Sequence, residues 1–84
     1  MSSKTLSEYI DMISYQGYHI SNCFDGVSRS EKQLRRMVIN LKQYYNYRDY
    51  IVMEDPTSAD ILLFIERKQG QPIILLFKKK GEII

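Results

Sequence analysis

Asp60, Glu66, Lys68 and Lys78, with the apolar runs between them, are the residues whose types and spacing bear on chemistry. The stretch Ala59-Asp60-Ile-Leu-Leu-Phe-Ile-Glu66-Arg-Lys-Gln-Gly70-Gln-Pro72-Ile-Ile-Leu-Leu-Phe-Lys78 reads as two apolar strands joined by a short polar turn. An acid opening one strand and an acid-x-Lys on the next would let two carboxylates share a divalent metal while the lysine helps to activate water. That arrangement serves metal-assisted cleavage of phosphodiesters. Here the second carboxylate is missing. Leu76 stands where it should be, and magnesium demands oxygen ligands. Glu66-Arg67-Lys68 is a literal acid-x-Lys, but it shares a strand with Asp60. Six residues at about 3.3 Å each separate those two carboxylates by roughly 20 Å, too far to share an ion. Glu66 and Lys68 therefore read as a solvated hairpin end, and Asp60 as the cap of the turn after Pro56. No other acid, base and nucleophile set converges, so the chain reads as a non-enzyme without a cofactor.

Composition narrows the class further. Eighty-four residues make one small domain over residues 1–84, and an apolar fraction of 44% is enough for a core. The longest apolar runs, 61–65 and 73–77, are too short to cross a bilayer. The N-terminal Met-Ser-Ser-Lys-Thr offers no apolar signal segment, so no secretory signal is expected, and with such short runs no membrane partner is expected either. Cys23 has no second cysteine to pair with, which fits a reducing, intracellular compartment, cytoplasmic or nuclear. It reads as an inert loop thiol rather than the partner of His19. A single histidine and a single cysteine exclude a conventional zinc site. The net charge of +2 is too small to imply nucleic acid by itself, so the distribution of charge matters more than its sum.

The elements that would position these residues follow from periodicity and capping signals. Thr5-x-x-Glu8 is a capping box, and Leu6, Tyr9, Ile10 and Ile13 continue it as one apolar helical stripe. Gly17 suits the left-handed residue that ends such a helix, with Tyr18 folding back on Ile13. Residues 22–26 read as a loop with a turn at Asp25-Gly26. Ser28-x-x-Glu31 predicts the start of a second helix, with Leu34, Met37, Val38, Leu41 and Tyr44 or Tyr45 on its buried face, fraying near Asn46. Three strands are predicted over 50–54, 61–68 and 73–80, the first stopped by Asp55-Pro56. The expected fold is α+β: two N-terminal helices packed on a three-stranded antiparallel sheet, in the order α-α-β-β-β. Its expected core is Leu6, Ile10, Ile13, Leu34, Val38, Leu41, Leu63, Ile65, Leu75 and Phe77. Both hairpin arms are apolar on both faces, a pattern of strands buried on two sides. Two helices cannot cover both faces well. Either the chain is part of a larger domain or a partner completes the sheet.

The Asp60 strand and the Ile74-Leu75-Leu76-Phe77-Lys78 strand resemble a PD-(D/E)xK nuclease core that has lost its second acid. With Met12-Ile-Ser-Tyr-Gln-Gly17-Tyr18-His-Ile20 as a first helix end, the chain is similar to the N-terminal jaw domain of the shared fifth subunit of eukaryotic RNA polymerases. That resemblance implies a nuclease-like fold without nuclease activity. The chain departs from the family in stopping where its next helix would begin and in having no separate assembly domain.

Surface chemistry supplies the remaining expectations. Seven tyrosines without a tryptophan is a marked bias, and tyrosine anchors protein interfaces with a large ring and a water-tolerant hydroxyl. The expected interface comprises Tyr44, Tyr45, Tyr47, Tyr50, Phe77, Ile83 and Ile84, with a protein partner or a second copy as occupant. On this reading the chain is a non-catalytic protein-interaction module: a small regulator or inhibitor from a virus or mobile element, or a nuclease-like scaffold domain of nucleic-acid machinery. The alternative is nucleic-acid binding, with Arg29, Lys32, Arg35, Arg36, Lys42, Arg48, Lys78, Lys79 and Lys80 following phosphates and the tyrosines stacking on bases. Glu54 and Asp55 beside the tyrosines oppose that alternative. For Lys78–Lys80 there is also a structural reading, in which charge on an edge strand deters aggregation.

Overall fold

A computed structural model of the protein describes residues 4–44, 50–66 and 70–79, apart from the side chain of Tyr44. Tyr45, Tyr47, Arg48, Lys68, Lys80, Ile83 and Ile84, all named above, lie outside the described residues, as does the expected fraying near Asn46. The chain runs α1 (Leu6–Tyr15), β1 (Tyr18–Cys23), α2 (Glu31–Tyr44), β2 (Tyr50–Asp55), β3 (Asp60–Ile65) and β4 (Ile73–Lys79). The strands form one antiparallel sheet in the order β1-β4-β3-β2.

The class is α+β, but the expected arrangement needs correction. There are four strands rather than three among the described residues, and a strand stands between the two helices. The missing strand is β1, which pairs with β4 from Tyr18 opposite Lys79 to Cys23 opposite Leu75. Its register shifts between Ile20 and Asn22, so Ser21 is the extra residue of a bulge. Ile20 and Cys23 are consequently both buried although they are three apart, a spacing that regular alternation along a strand does not produce. This irregularity hides the strand from a search for period two. The ladder also moves β4 from the expected edge to the interior, because β1 occupies the side left open by the hairpin. Lys78 and Lys79 therefore do not protect an edge.

Local signals explain the helices. Glu8 N donates to Thr5 Oγ1 at 3.2 Å and Thr5 N donates to Glu8 Oε1 at 3.1 Å, closing the capping box at α1. Gly17 takes φ +96° after the helix, a conformation that residues with a Cβ resist. The second capping box is not Ser28 with Glu31. Ser30 N donates to Gln33 Oε1 at 2.8 Å and Gln33 N donates to Ser30 Oγ at 3.2 Å, so α2 opens two residues later than the sequence signal. The upstream residues are engaged by Asp25, whose carboxylate accepts from Val27 N and from both terminal nitrogens of Arg29. In the β2–β3 turn, Asp55 rather than Asp60 is the capping acid. It accepts from Thr57 N at 2.9 Å and from Thr57 Oγ1 at 2.6 Å.

Both helices lie on one side of the sheet. Leu6, Tyr9, Ile10 and Ile13 from α1 and Leu34 and Leu41 from α2 meet Ile20, Cys23, Ile61, Leu63, Ile65, Leu75 and Phe77 in a single core. Val38 is half-buried at its margin, whereas Tyr9, Ile20, Cys23 and Ile61 join the residues expected in the core. Connecting β1 to β2 requires the chain to traverse the whole sheet. Fourteen residues of helix span about 21 Å, against roughly 14 Å across three strand spacings. The helix itself packs over β1 and against α1. Near the other edge, the Tyr9 and Tyr50 rings pack at 5.5 Å, and the Tyr50 hydroxyl donates to the Lys4 carbonyl at 2.9 Å.

Ser30→Ala is expected to lower stability by about 1 kcal/mol through loss of the helix cap, while Ser28→Ala stays within about 0.5 kcal/mol of the parent. Urea unfolding followed by circular dichroism checks both. The Tyr9 hydroxyl is buried without a hydrogen-bond partner among the described residues. Burial, reinforced by nearby Glu54, pushes it up to about 12. Tyr9→Phe removes that orphan group and is expected to leave stability unchanged or raise it by up to about 1 kcal/mol in the same assay.

Candidate functional site: the uncovered face of the sheet

Strand alternation sends one set of side chains under the helices and the other set to the opposite side. The opposite set forms three rows by register. Ile51, Phe64 and Ile74 make the first row, and Met53, Leu62 and Leu76 the second, which ends at Asn22. Asp55, Asp60 and Lys78 make the third, which ends at His19. Six large apolar side chains on three adjacent strands thus share a face over which no described element lies. Ile51 and Met53 remain 59% and 49% exposed. The four residues of the central strands are half-buried. Isolated exposed apolar residues are ordinary on a protein surface, whereas a contiguous patch marks an interaction site.

The sequence signal for this face was the two-sided apolar character of the hairpin arms, read as strands buried on both sides. The structure buries one side only. The residues compared with a degenerate nuclease core fall on the uncovered side together: Asp60 lies directly opposite Lys78, and Leu62 opposite Leu76. Neither Asp60 nor Lys78 closes an ion pair among the described residues. No three His, Cys, Asp or Glu side chains gather to hold a metal among the described residues.

The expected interface residues are dispersed. Phe77 is 2% exposed beneath the helices and is not at the surface. Tyr50 is half-buried against α1, on the helix side of β2. Ile51, Met53, Leu62, Phe64, Ile74 and Leu76 were not singled out as interface residues, although the alternation of β3 and β4 carried the information needed to find most of them.

Several of the expected phosphate-binding residues are already engaged. Arg29 forms two hydrogen bonds to Asp25, at 2.8 and 2.6 Å, Arg35 pairs with Glu31 at 2.6 Å, and Lys42 pairs with Asp11 on α1. Lys32 and Arg36 are exposed on α2. Lys78 lies on the uncovered sheet face, whereas Lys79 turns to the opposite side, 6.0 Å over the Tyr18 ring. These cations do not converge on one track.

Two further features border the helices. A cavity of about 300 Å3 lies between α1, α2 and β1, lined by Ile10, Ser14, Tyr18, Val38 and Phe77 among others. Cys23 is buried on β1 rather than lying in a loop, and burial pushes its thiol up, with Asp25 adding to the effect. A protonated thiol is a poor nucleophile. No described helix is long and apolar enough to cross a membrane. The chain matches no protein-family model, no curated protein and no solved structure.

Hydrogen bonds from Arg29, and then from Val27 N, hold the Asp25 carboxyl down at about 2, and those from Thr57 hold Asp55 at about 2. Both values lie below the roughly 3.9 of an unfolded aspartate, so each carboxylate stabilises the fold above that pH and loses its effect on acidification. Stability is expected to fall between about pH 4 and pH 2. Asp25→Asn and Asp55→Asn should each flatten that fall in urea titrations carried out across the window.

Proposed function

We propose that the chain is a non-catalytic protein-interaction module whose binding surface is the uncovered face of the sheet. The observation that carries this reading is the contiguous patch formed by Ile51, Met53, Leu62, Phe64, Ile74 and Leu76, with the helices all on the other side. Covering a face of several hundred Å2 contributes several kcal/mol at about 25 cal/mol per Å2, before the cost of association is subtracted. A charged row along one end of the patch would orient whatever binds there. A regulatory or scaffolding role suits a domain that presents an adhesive face in place of a reaction centre. The near-nuclease outline of β3 and β4 accords with it, because Leu76 occupies the position where cleavage chemistry needs a carboxylate.

Nucleic-acid binding is the weaker reading. It draws its support from Lys32, Arg36 and Lys78, which are exposed, and loses it through the carboxylate partners of Arg29, Arg35 and Lys42.

The wild-type protein is expected either to associate through the patch or, as a monomer, to bind an apolar fluorescent dye there. Phe64→Ser combined with Ile51→Ser should abolish whichever behaviour is seen while retaining the far-ultraviolet circular dichroism of the parent. A wild-type protein that neither associates nor binds dye overturns the proposal.

A further inference from the structure

We infer that the occupant of the uncovered face is a second copy of this chain, related by a two-fold axis that runs along the strands between β3 and β4. The inference rests on the proposal that this face binds protein. Its argument comes from the symmetry of the rows. Stacked sheets pack about 10 Å apart with strand directions nearly aligned, and a symmetric face-to-face dimer can be built with its axis along the strands or across them.

An axis along the strands exchanges β3 with β4 and β1 with β2 while leaving each row at its own level. Leu62 then faces Leu76 of the second copy, and Phe64 faces Ile74. Asp60 comes to Lys78 of the second copy, and Lys78 to its Asp60. Apolar rows meet apolar rows, and the charged end pairs with opposite sign twice. An axis across the strands reverses the rows instead. With the three rows in full overlap it sets Asp60 against Phe64 and Lys78 against Ile74 of the second copy, each charge against an apolar side chain. Charge buried against apolar side chains without a partner is costly, so the strand-parallel axis is selected.

The area fits a dimer of modest strength. Four strands at about 4.8 Å and six residues at about 3.3 Å give a footprint of roughly 400 Å2 per copy. About 800 Å2 in total lies below the range of standard specific interfaces and fits a weak, transient dimer.

Sedimentation equilibrium on wild type, Asp60→Lys, Lys78→Asp and an equimolar mixture of the two variants tests the inference. Wild type is expected to dimerise at micromolar concentration. Each single variant should dimerise roughly tenfold more weakly or worse, because it places like charges across both contacts. The mixture should recover dimer to within about threefold of wild type. In the mixed dimer the lysine introduced at position 60 of one chain meets the aspartate introduced at position 78 of the other, and the second contact keeps its native Lys78 and Asp60. Cross-strand pairing within one chain cannot produce recovery on mixing. A dimer lost with Phe64→Ser but indifferent to the charge variants, or unrestored by mixing, overturns the strand-parallel axis and leaves the face as a protein surface. A wild-type monomer that binds apolar dye overturns self-association while sparing the broader proposal. A monomer that does neither removes both.

Discussion

The ladder between β1 and β4 is the constraint from which the rest of the architecture follows. It joins residues some sixty positions apart in the chain, as in Tyr18 opposite Lys79, and so turns a local hairpin into the centre of a four-stranded sheet. Once β1 occupies one edge and β2 the other, the connection between them must cross the sheet. α2, which lies on that connection, has its apolar stripe turned inward, and α1 packs beside it on the same side. The described helices cover one face, and no described element covers the other. The open surface is thus a consequence of topology rather than a local defect of composition.

The two faces of the sheet differ in burial although their sequences are similar. Ile61, Leu63 and Ile65 are at most 2% exposed, while Leu62 and Phe64, interleaved with them on β3, are only half-covered. Nothing in the residue types separates the sets, since both are large and aliphatic or aromatic. What separates them is which side the helices took. The charged row at one end then gives the bare face a polarity that a uniformly apolar surface lacks. Opposite charges at Asp60 and Lys78 limit the ways in which such a surface can be covered without burying unpaired charge.

Much of the remaining charge is engaged locally. Asp25 and Arg29 close a turn ahead of α2, Glu31 and Arg35 sit one turn apart on it, and Asp11 and Lys42 link the helices. Exposed pairs of this kind contribute little to stability, typically below about 1 kcal/mol each. A guanidinium already shared with a carboxylate is also a weaker ligand for phosphate. A basic helix face inferred from spacing alone overstates the charge available to an outside partner.

Sequence alone determined what depends on neighbours a few residues apart. The capping box at Thr5, the glycine after α1, the turn at Asp25-Gly26 and the α+β class are all local, as are the apolar positions of both helices and of the hairpin. The place of Ser30 as the second cap escaped because Ser28 offered an equally good local pattern, and the choice was made by Asp25 holding the intervening residues. β1 escaped for a different reason. Its bulge at Ser21 breaks the alternation by which strands are recognised, and its only warrant is a distant partner. The candidate site shows the same division. The sequence specified that β3 and β4 carry apolar residues on both faces; only the tertiary arrangement decided which face would be buried, because that choice belongs to helices whose route is set by the β1–β4 pairing.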